Sequence, residues 1–332
     1  MKIRCETCRR EYVIPEDRLK NLAGSITLPC PNCRAPITVE PPGTAPRGNG
    51  PPSGDELRDK VLRSVKDLPP MPQVARKARE VLGNPASSFK DLAKVIETDQ
   101  AIVTRILKIA NSPYYGLSGK ISSVQHASVV LGVKTLMEVL SLACTSEILG
   151  QKLEGYDLDS GELWKHSLAV ASASRLIALR VDPSLEQDAF SAGIIHDAGK
   201  IILDPYVLER KDAFQVFVDE GKRTFLSAEQ EILGFDHARI ASEVCAAWHI
   251  PDNIALAVRH HHDPEPFGQD RLCWVVHMAD AIALMSGIGA GIDGLLYTMH
   301  PGAASFLGLG RDDMTEIMAA MADYVDKTTQ GL

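Results

Sequence analysis

Histidines and acidic residues recur in one order along the second half of this chain, most of them inside apolar, helix-periodic stretches. The order runs Glu162-Leu-Trp-Lys-His166, His196-Asp197-Ala-Gly-Lys200, His237, His260-His261-His262 and Asp280, and eight of the ten histidines lie between positions 166 and 277. This restricts the fold. A packing that buries the apolar stretches also buries the ionisable groups within them, and an unpaired buried carboxylate costs several kcal/mol. The groups are therefore expected to converge on one another or on a shared cation. Neutral imidazole and carboxylate are ligands that iron, manganese and zinc accept.

Local spacing sharpens the picture. Glu162 and His166 are four residues apart and share a helix face. The run Ala189-Phe-Ser-Ala-Gly-Ile-Ile-His196 is mostly apolar, which places His196-Asp197 at a buried helix. Lys200 follows on the same face, to pair with Asp197 or to hold a substrate phosphate. Asp280 lies in a further apolar stretch, and His277, three residues before it, is a candidate to orient it. Taken singly, a buried His or Asp is more often a hydrogen-bonded core group; the ordered set points to a metal. His249, ahead of Ile250-Pro251, reads as a helix-end residue. His260 reads as a surface neighbour, and His126 and His300 have no evident partner.

From Asp55 onward the pattern is helical almost throughout. Leu92, Val95 and Ile96, then Ile102, Ile106, Leu107 and Ala110, then Leu136, Val139, Leu140 and Ala143 recur at spacings of three and four. Ser87-Ser88 before Phe89 and Asp182-Pro183-Ser184 before Leu185 read as helix starts, and Asn111-Ser-Pro-Tyr-Tyr-Gly116 as a stop and turn. Asp312 to Lys327 is an amphipathic closing helix. The expected body, residues 55–332, is all-α, with a helical first half to about residue 152 continuous with a ligand-bearing half from about 153. The run Gly287-Ile-Gly-Ala-Gly-Ile-Asp-Gly294 lacks a preceding strand and reads as a flexible loop, not a phosphate loop. Cys144, Cys245 and Cys273 read as reduced core thiols.

Residues 1–40 are a different unit. Cys5-Glu-Thr-Cys8 and Cys30-Pro-Asn-Cys33 are two knuckles separated by 21 residues, with short β-prone pieces around them. Four cysteines so spaced suit one tetrahedral zinc ion, and a unit this small needs such a staple. Two disulfides or a redox pair are the alternative. The unit resembles the short zinc ribbon found at the N-termini of many bacterial proteins. Residues 41–54, rich in Pro and Gly, are expected to be a disordered tether. Residues 1–54 carry eight Lys/Arg against five Asp/Glu, yet the whole chain has a net charge of −8, which argues against nucleic acid as an obligatory partner. The most apolar stretch, Val129 to Cys144, is interrupted by Lys134 and Glu138, and Cys5 and Cys8 stand where a signal-peptide core would be, so a cytoplasmic protein without a membrane span is expected.

The segments Asp67-Leu-Pro-Pro-Met-Pro72, Asp99-Gln-Ala-Ile102, Ile106-Leu-Lys-Ile-Ala-Asn-Ser-Pro113, Ile121-Ser-Ser-Val-Gln-His-Ala127 and Leu131-Gly132 together resemble the bacterial HDOD domain over about residues 58–285. That resemblance implies an all-helical output module related to HD phosphohydrolases, used in signalling and often without a working metal site. Here the HD ligand order is retained: His166, His196, Asp197 and Asp280 fit it. The HD-GYP phosphodiesterases add a Glu, a Lys, a further His and a His-His pair, for which Glu162, Lys200, His237 and His261-His262 stand in matching places; Asp263 after the pair selects His261-His262 over His260-His261. Their Gly-Tyr-Pro signature is missing. The resemblance thus implies one to three divalent ions (Fe, Mn or Zn) held by the eight of these residues other than Lys200, Asp197 bridging two of them. Two functions follow. One is a signalling protein acting through a partner or a nucleotide ligand. The other is a metal-dependent phosphohydrolase in which Asp197 and Lys200 are catalytic.

Overall fold

In a computed structural model the chain divides into two compact units, residues 1–53 and Gly54–Leu332. Before residue 54 the structure describes four short strands and Asn32; beyond it, residues 54–330 except 68–72, 84–86, 118, 222–223, 268–269, 290 and 292–298. In the first unit β1 (Lys2–Arg4) pairs antiparallel with β2 (Glu11–Val13), and β3 (Ile26–Pro29) with β4 (Pro36–Val39). Cys5, Cys8, Cys30 and Cys33 and the tether 41–53 lie outside the described residues.

The second unit is all-α among its described residues. It comprises α1 (Gly54–Asp67), α2 (Gln73–Gly83), α3 (Phe89–Ile96), α4 (Gln100–Ala110), α5 (Val124–Leu149), α6 (Glu162–Val181), α7 (Glu186–Ile195) and α8 (Gly199–Glu209). There follow α9 (Lys211–Gly221), α10 (Phe225–Ala228), α11 (His237–Ala247), α12 (Asp252–Arg259), α13 (Arg271–Met285), α14 (Ala303–Leu307) and α15 (Arg311–Thr329). Several boundaries follow from capping. Ser88 caps α3 through Asp91 N while the Asp91 carboxylate accepts from Ser88 N, a reciprocal box. Asp99 caps α4, which stops at Asn111, and Gly116 (φ 57°) turns the chain away. Asp182 accepts from Ser184 N and starts a 3-10 turn that leads into α7.

One hydrophobic core runs from α1 to α15 with no break near residue 152. The first half contributes Ile96, Ile106, Ile109, Leu136 and Leu140. In the second half α6 is the central rod, packed against α7, α13 and α15. Its Ala- and Ser-rich surface, including Ala169, Ala171, Ser172 and Ala173, is buried. Small side chains let neighbouring helices approach closely, and α6 and α13 bring His166 and Asp280 face to face.

The helix α5 is long and apolar enough to cross a membrane by length and composition, but it packs as a core helix. Gly132 (φ 76°, ψ 167°) breaks it, and Glu138 accepts from Arg175 Nη1 of α6 at 2.8 Å. That pair lies among Tyr114, Phe190 and Tyr324, joining the two halves of the body. Cys144, Cys245 and Cys273 are buried core thiols outside any disulfide.

Candidate metal centre

The chain segments around the histidines fold so that five imidazoles from four places meet. His166 projects from the second turn of α6. His196 ends α7, and Asp197 lies in the tight turn before α8. His237 opens α11, whose N-cap Asp236 accepts from Arg239 N. His261 and His262 follow α12, and Asp280 lies within α13. Gly199 permits the closest approach. A Cβ on it would overlap His237 O, so only glycine lets the start of α8 lie against α11 and bring Asp197 to His237.

Four of the histidines are held in one tautomer. His166 Nδ1 lies 3.0 Å from Ile288 O, His196 Nδ1 2.9 Å from Gly193 O, and His261 Nδ1 2.7 Å from Val258 O. His237 Nδ1 lies 2.8 Å from the Glu229 carboxylate. These oxygens only accept, so each Nδ1 carries a proton that it donates, and each Nε2 is left to face the interior. The Nε2 atoms point at the same carboxylates. His166 Nε2 is 3.2 Å from Asp280 Oδ1, and His237 Nε2 is 3.2 Å from Asp197 Oδ1. His196 Nε2 is 3.5 Å from Asp197 Oδ2, and His261 Nε2 is 3.8 Å from Asp197 Oδ1.

Three of these buried atoms, His196 Nε2, Asp197 Oδ1 and His261 Nε2, have no hydrogen-bond partner. An orphaned buried polar atom costs about 1–3 kcal/mol. Three orphaned acceptors of metal-binding type in one space are what a cation would satisfy. The ligand atoms form overlapping groups: Asp197, His237, His261 and His262; His166, His196 and Asp197; and His196, His261 and Asp280. The donor set, imidazole nitrogen with carboxylate oxygen, fits iron, manganese or zinc.

Charge follows the geometry. Burial opposes ionisation of both carboxylates, but the surrounding histidines and Lys200 outweigh it. His196, Lys200 and His237 hold Asp197 well below the usual range, and His166 and His196 do the same to Asp280. Burial pushes His196 down and holds His261 at about 3, so both stay neutral and able to ligate. His262 is likewise pushed down by burial and by its histidine neighbours. His237 goes the other way. Burial disfavours its charge, yet Glu229 and Asp197 carry it to about 10. Its Nε2 also lies 2.8 Å from His262 Nε2, so one of the two nitrogens carries a proton that it donates to the other.

Lys200 Nζ donates to Asp197 Oδ2 at 2.7 Å and lies over the Tyr156 ring. Glu162 is placed elsewhere: it is exposed, and its Oε2 accepts from Asp159 N at the start of α6. Helical spacing puts it on the His166 face, but four residues earlier it has already reached the end of the rod. His277 does not orient Asp280; its Nδ1 donates to His261 O and its Nε2 accepts from His300 N, bracing the turn after α12. His300, without evident partner in the sequence, is thereby tied to the site. His249 is exposed just past the end of α11, at φ 55°.

Glu229 is the residue the sequence did not reveal. It is fully buried in a π-helical turn after α10 and accepts from Tyr156 OH (2.6 Å), His237 N (2.8 Å) and His237 Nδ1. It sits between Ala228 and Gln230 with no motif around it, and the π turn that aims it inward has no periodicity to read. The Gly287 run also differs from expectation in its described part. Ile288 and Gly289 pack onto His166.

An all-α body of HD type with a buried His/Asp cluster is the class that fold and site define. The HDOD domain family model matches residues 68–264, and the chain belongs to the HDOD family. Among solved structures, an HDOD domain protein of unknown function from Geobacter sulfurreducens is 24% identical with a TM-score of 0.67, over 84% of this chain and 99% of that one. A Shewanella amazonensis SB2B protein provisionally assigned as a phosphohydrolase is 22% identical with a TM-score of 0.65, over 82% of this chain and 97% of that one. A Marinobacter aquaeolei VT8 protein provisionally assigned to signal transduction is 19% identical with a TM-score of 0.65, over 90% and 69%. At these identities the likeness is one of fold. An uncharacterized protein of Treponema pallidum (strain Nichols) is 22% identical over 212 residues, which are 63% of this chain and 40% of that protein.

Proposed function

We propose that this HDOD protein is a cytoplasmic signalling protein with a retained metal centre, acting through a partner protein or a nucleotide ligand. The observation that carries the metal centre is the tautomer lock. His166, His196, His237 and His261 each give up Nδ1–H to a carbonyl or carboxylate and turn Nε2 toward Asp197 and Asp280. Ligating histidines are oriented in this way by their outer partners. His166, His196, Asp197 and Asp280 hold one divalent ion, and His237, His261 and His262 join Asp197 on a second. Cys5, Cys8, Cys30 and Cys33 hold a zinc ion in the N-terminal ribbon, which serves docking or regulation. The regulatory reading is supported by burial: the ligand groups are almost wholly enclosed, which suits a resident ion better than rapid substrate exchange.

A second reading, a metal-dependent phosphohydrolase, is favoured by Lys200, a buried cation 2.7 Å from Asp197. A bound divalent ion supplies Lewis acidity and a more acidic water. Asp197 then fixes the ions, and Lys200 places positive charge beside a phosphoryl group.

The test is elemental analysis of the whole protein against a His196→Ala/Asp197→Ala variant, so that the ribbon's metal cancels. A difference of one or more Fe, Mn or Zn per chain is expected. Equal metal content, with both proteins folded, overturns the metal centre. Turnover of a nucleotide panel by the loaded wild type, lost in Asp197→Ala, moves the protein to the hydrolase reading.

A further inference from the structure

The turn that follows α13 closes over the back of His166. Ile288 O accepts from His166 Nδ1 at 3.0 Å. Gly289, at φ +69°, lies so close that a Cβ on it would overlap His166 Cβ and come within 2.8 Å of Cγ. The turn is tied to the helix it leaves: Gly287 N donates to Leu284 O at 2.9 Å, and Ile288 N to Ala283 O at 3.2 Å. The same helix carries Asp280, 3.2 Å from His166 Nε2. One element therefore grips the imidazole from both sides, a carbonyl behind and a carboxylate in front. The outer end of the turn is exposed at Gly287 and at Met285, which is 53% exposed.

We propose that Gly289 is a positioning residue for His166, and that the Gly287–Gly289 turn transmits metal occupancy at His166 to the protein surface. This rests on the metal-centre reading. A metal on Nε2 fixes the ring plane and polarises Nδ1–H, which strengthens its donation to Ile288 O and holds the turn against α13. Linkage makes the effect reciprocal, so a turn that cannot seat on His166 weakens the metal. The sequence supplies its own control. Gly287 has nearly the same backbone (φ +73°), but nothing lies within 4 Å of a Cβ built there. Alanine at either position meets the left-handed penalty; only at 289 does it meet a metal ligand.

The experiment uses the full chain, stripped with chelator and titrated with Mn2+, a hard ion that a four-cysteine ribbon disfavours. Gly287→Ala is expected to bind within about twofold of wild type, and Gly289→Ala at least about tenfold more weakly, the loss typical of a disturbed outer partner. Hydrogen exchange at the Gly287 and Ile288 amides of wild type is expected to slow on loading; this measurement stands even if Gly289→Ala fails to fold. Equal affinities for the two alanine variants, or wild-type amides that exchange at one rate with and without metal, overturn the inference while leaving the metal centre intact. Failure of wild type to bind Mn2+ overturns both.

Discussion

Replacing Glu229 by Gln tests whether outer partners govern this cluster. Glu229 is fully buried and receives three hydrogen bonds, from Tyr156 OH at 2.6 Å and from His237 N and Nδ1 at 2.8 Å each. Glutamine keeps the shape. Its oxygen can accept from His237, and its NH2 can donate to the Tyr156 hydroxyl, which also accepts. What disappears is the charge. Charge-assisted hydrogen bonds are about twice as strong as neutral ones, and loss of an outer partner typically costs about 10–100-fold in metal affinity, or roughly 1.4–2.8 kcal/mol. A proton count provides a second readout. His237 has its pKa at about 10 without metal, so at pH 7.5 it carries a proton that a metal must displace. In Glu229→Gln only Asp197 remains to hold that proton, and fewer are released. Competition titration with a chromophoric chelator gives the affinity, and calorimetry in buffers of different ionisation enthalpy gives the protons. A folded Glu229→Gln protein with wild-type affinity and wild-type proton release would refute the reasoning.

Three further outcomes are expected. Without metal, stability falls below about pH 6.5, because burial depresses His196 and His261, the latter to about 3, while the unfolded chain takes up those protons first; the contribution of His237, raised to about 10, is fully present below about 6.5 and is lost as pH rises through 10. Denaturant midpoints of chelator-treated protein check this, and a flat profile between pH 5 and 7 contradicts it. Arg175→Ala strands buried Glu138 and is expected to destabilise the body by about 3–5 kcal/mol, most of it recovered in Arg175→Met/Glu138→Leu; a urea-unfolding loss below 1 kcal/mol contradicts it. Glu162→Gln alters only an exposed helix start and is expected to leave the metal content of the body unchanged by elemental analysis; a lost ion would return Glu162 to the ligand set.

Much of the body was written in local pattern. Apolar residues at spacings of three and four located the helices through Leu92, Ile106 and Leu136, and Ser88 and Asp182 marked starts that the structure capped with those side chains. The apolar flanks of His196-Asp197 and Asp280 predicted burial, since a helix hydrophobic all round has no solvent face on which to leave a charge. Gly199 was visible as a letter; its meaning, a seat for the His237 backbone, was not.

What the order of residues along the chain settled is therefore composition of the site: which segments are helical, which polar groups they must bury, and that imidazoles outnumber the carboxylates among them. Only the tertiary structure decided who faces whom. It sent Glu162 to the surface at the end of α6, turned His277 toward the backbone of His261 rather than toward Asp280, and brought in Glu229 and the Gly289 turn, neither of which carries a readable motif. The physical reason is range. Helix periodicity and capping are set within a few residues, whereas the tautomer of a histidine is set by whichever carbonyl or carboxylate a distant segment places behind it, as Ile288 does for His166 across 122 positions.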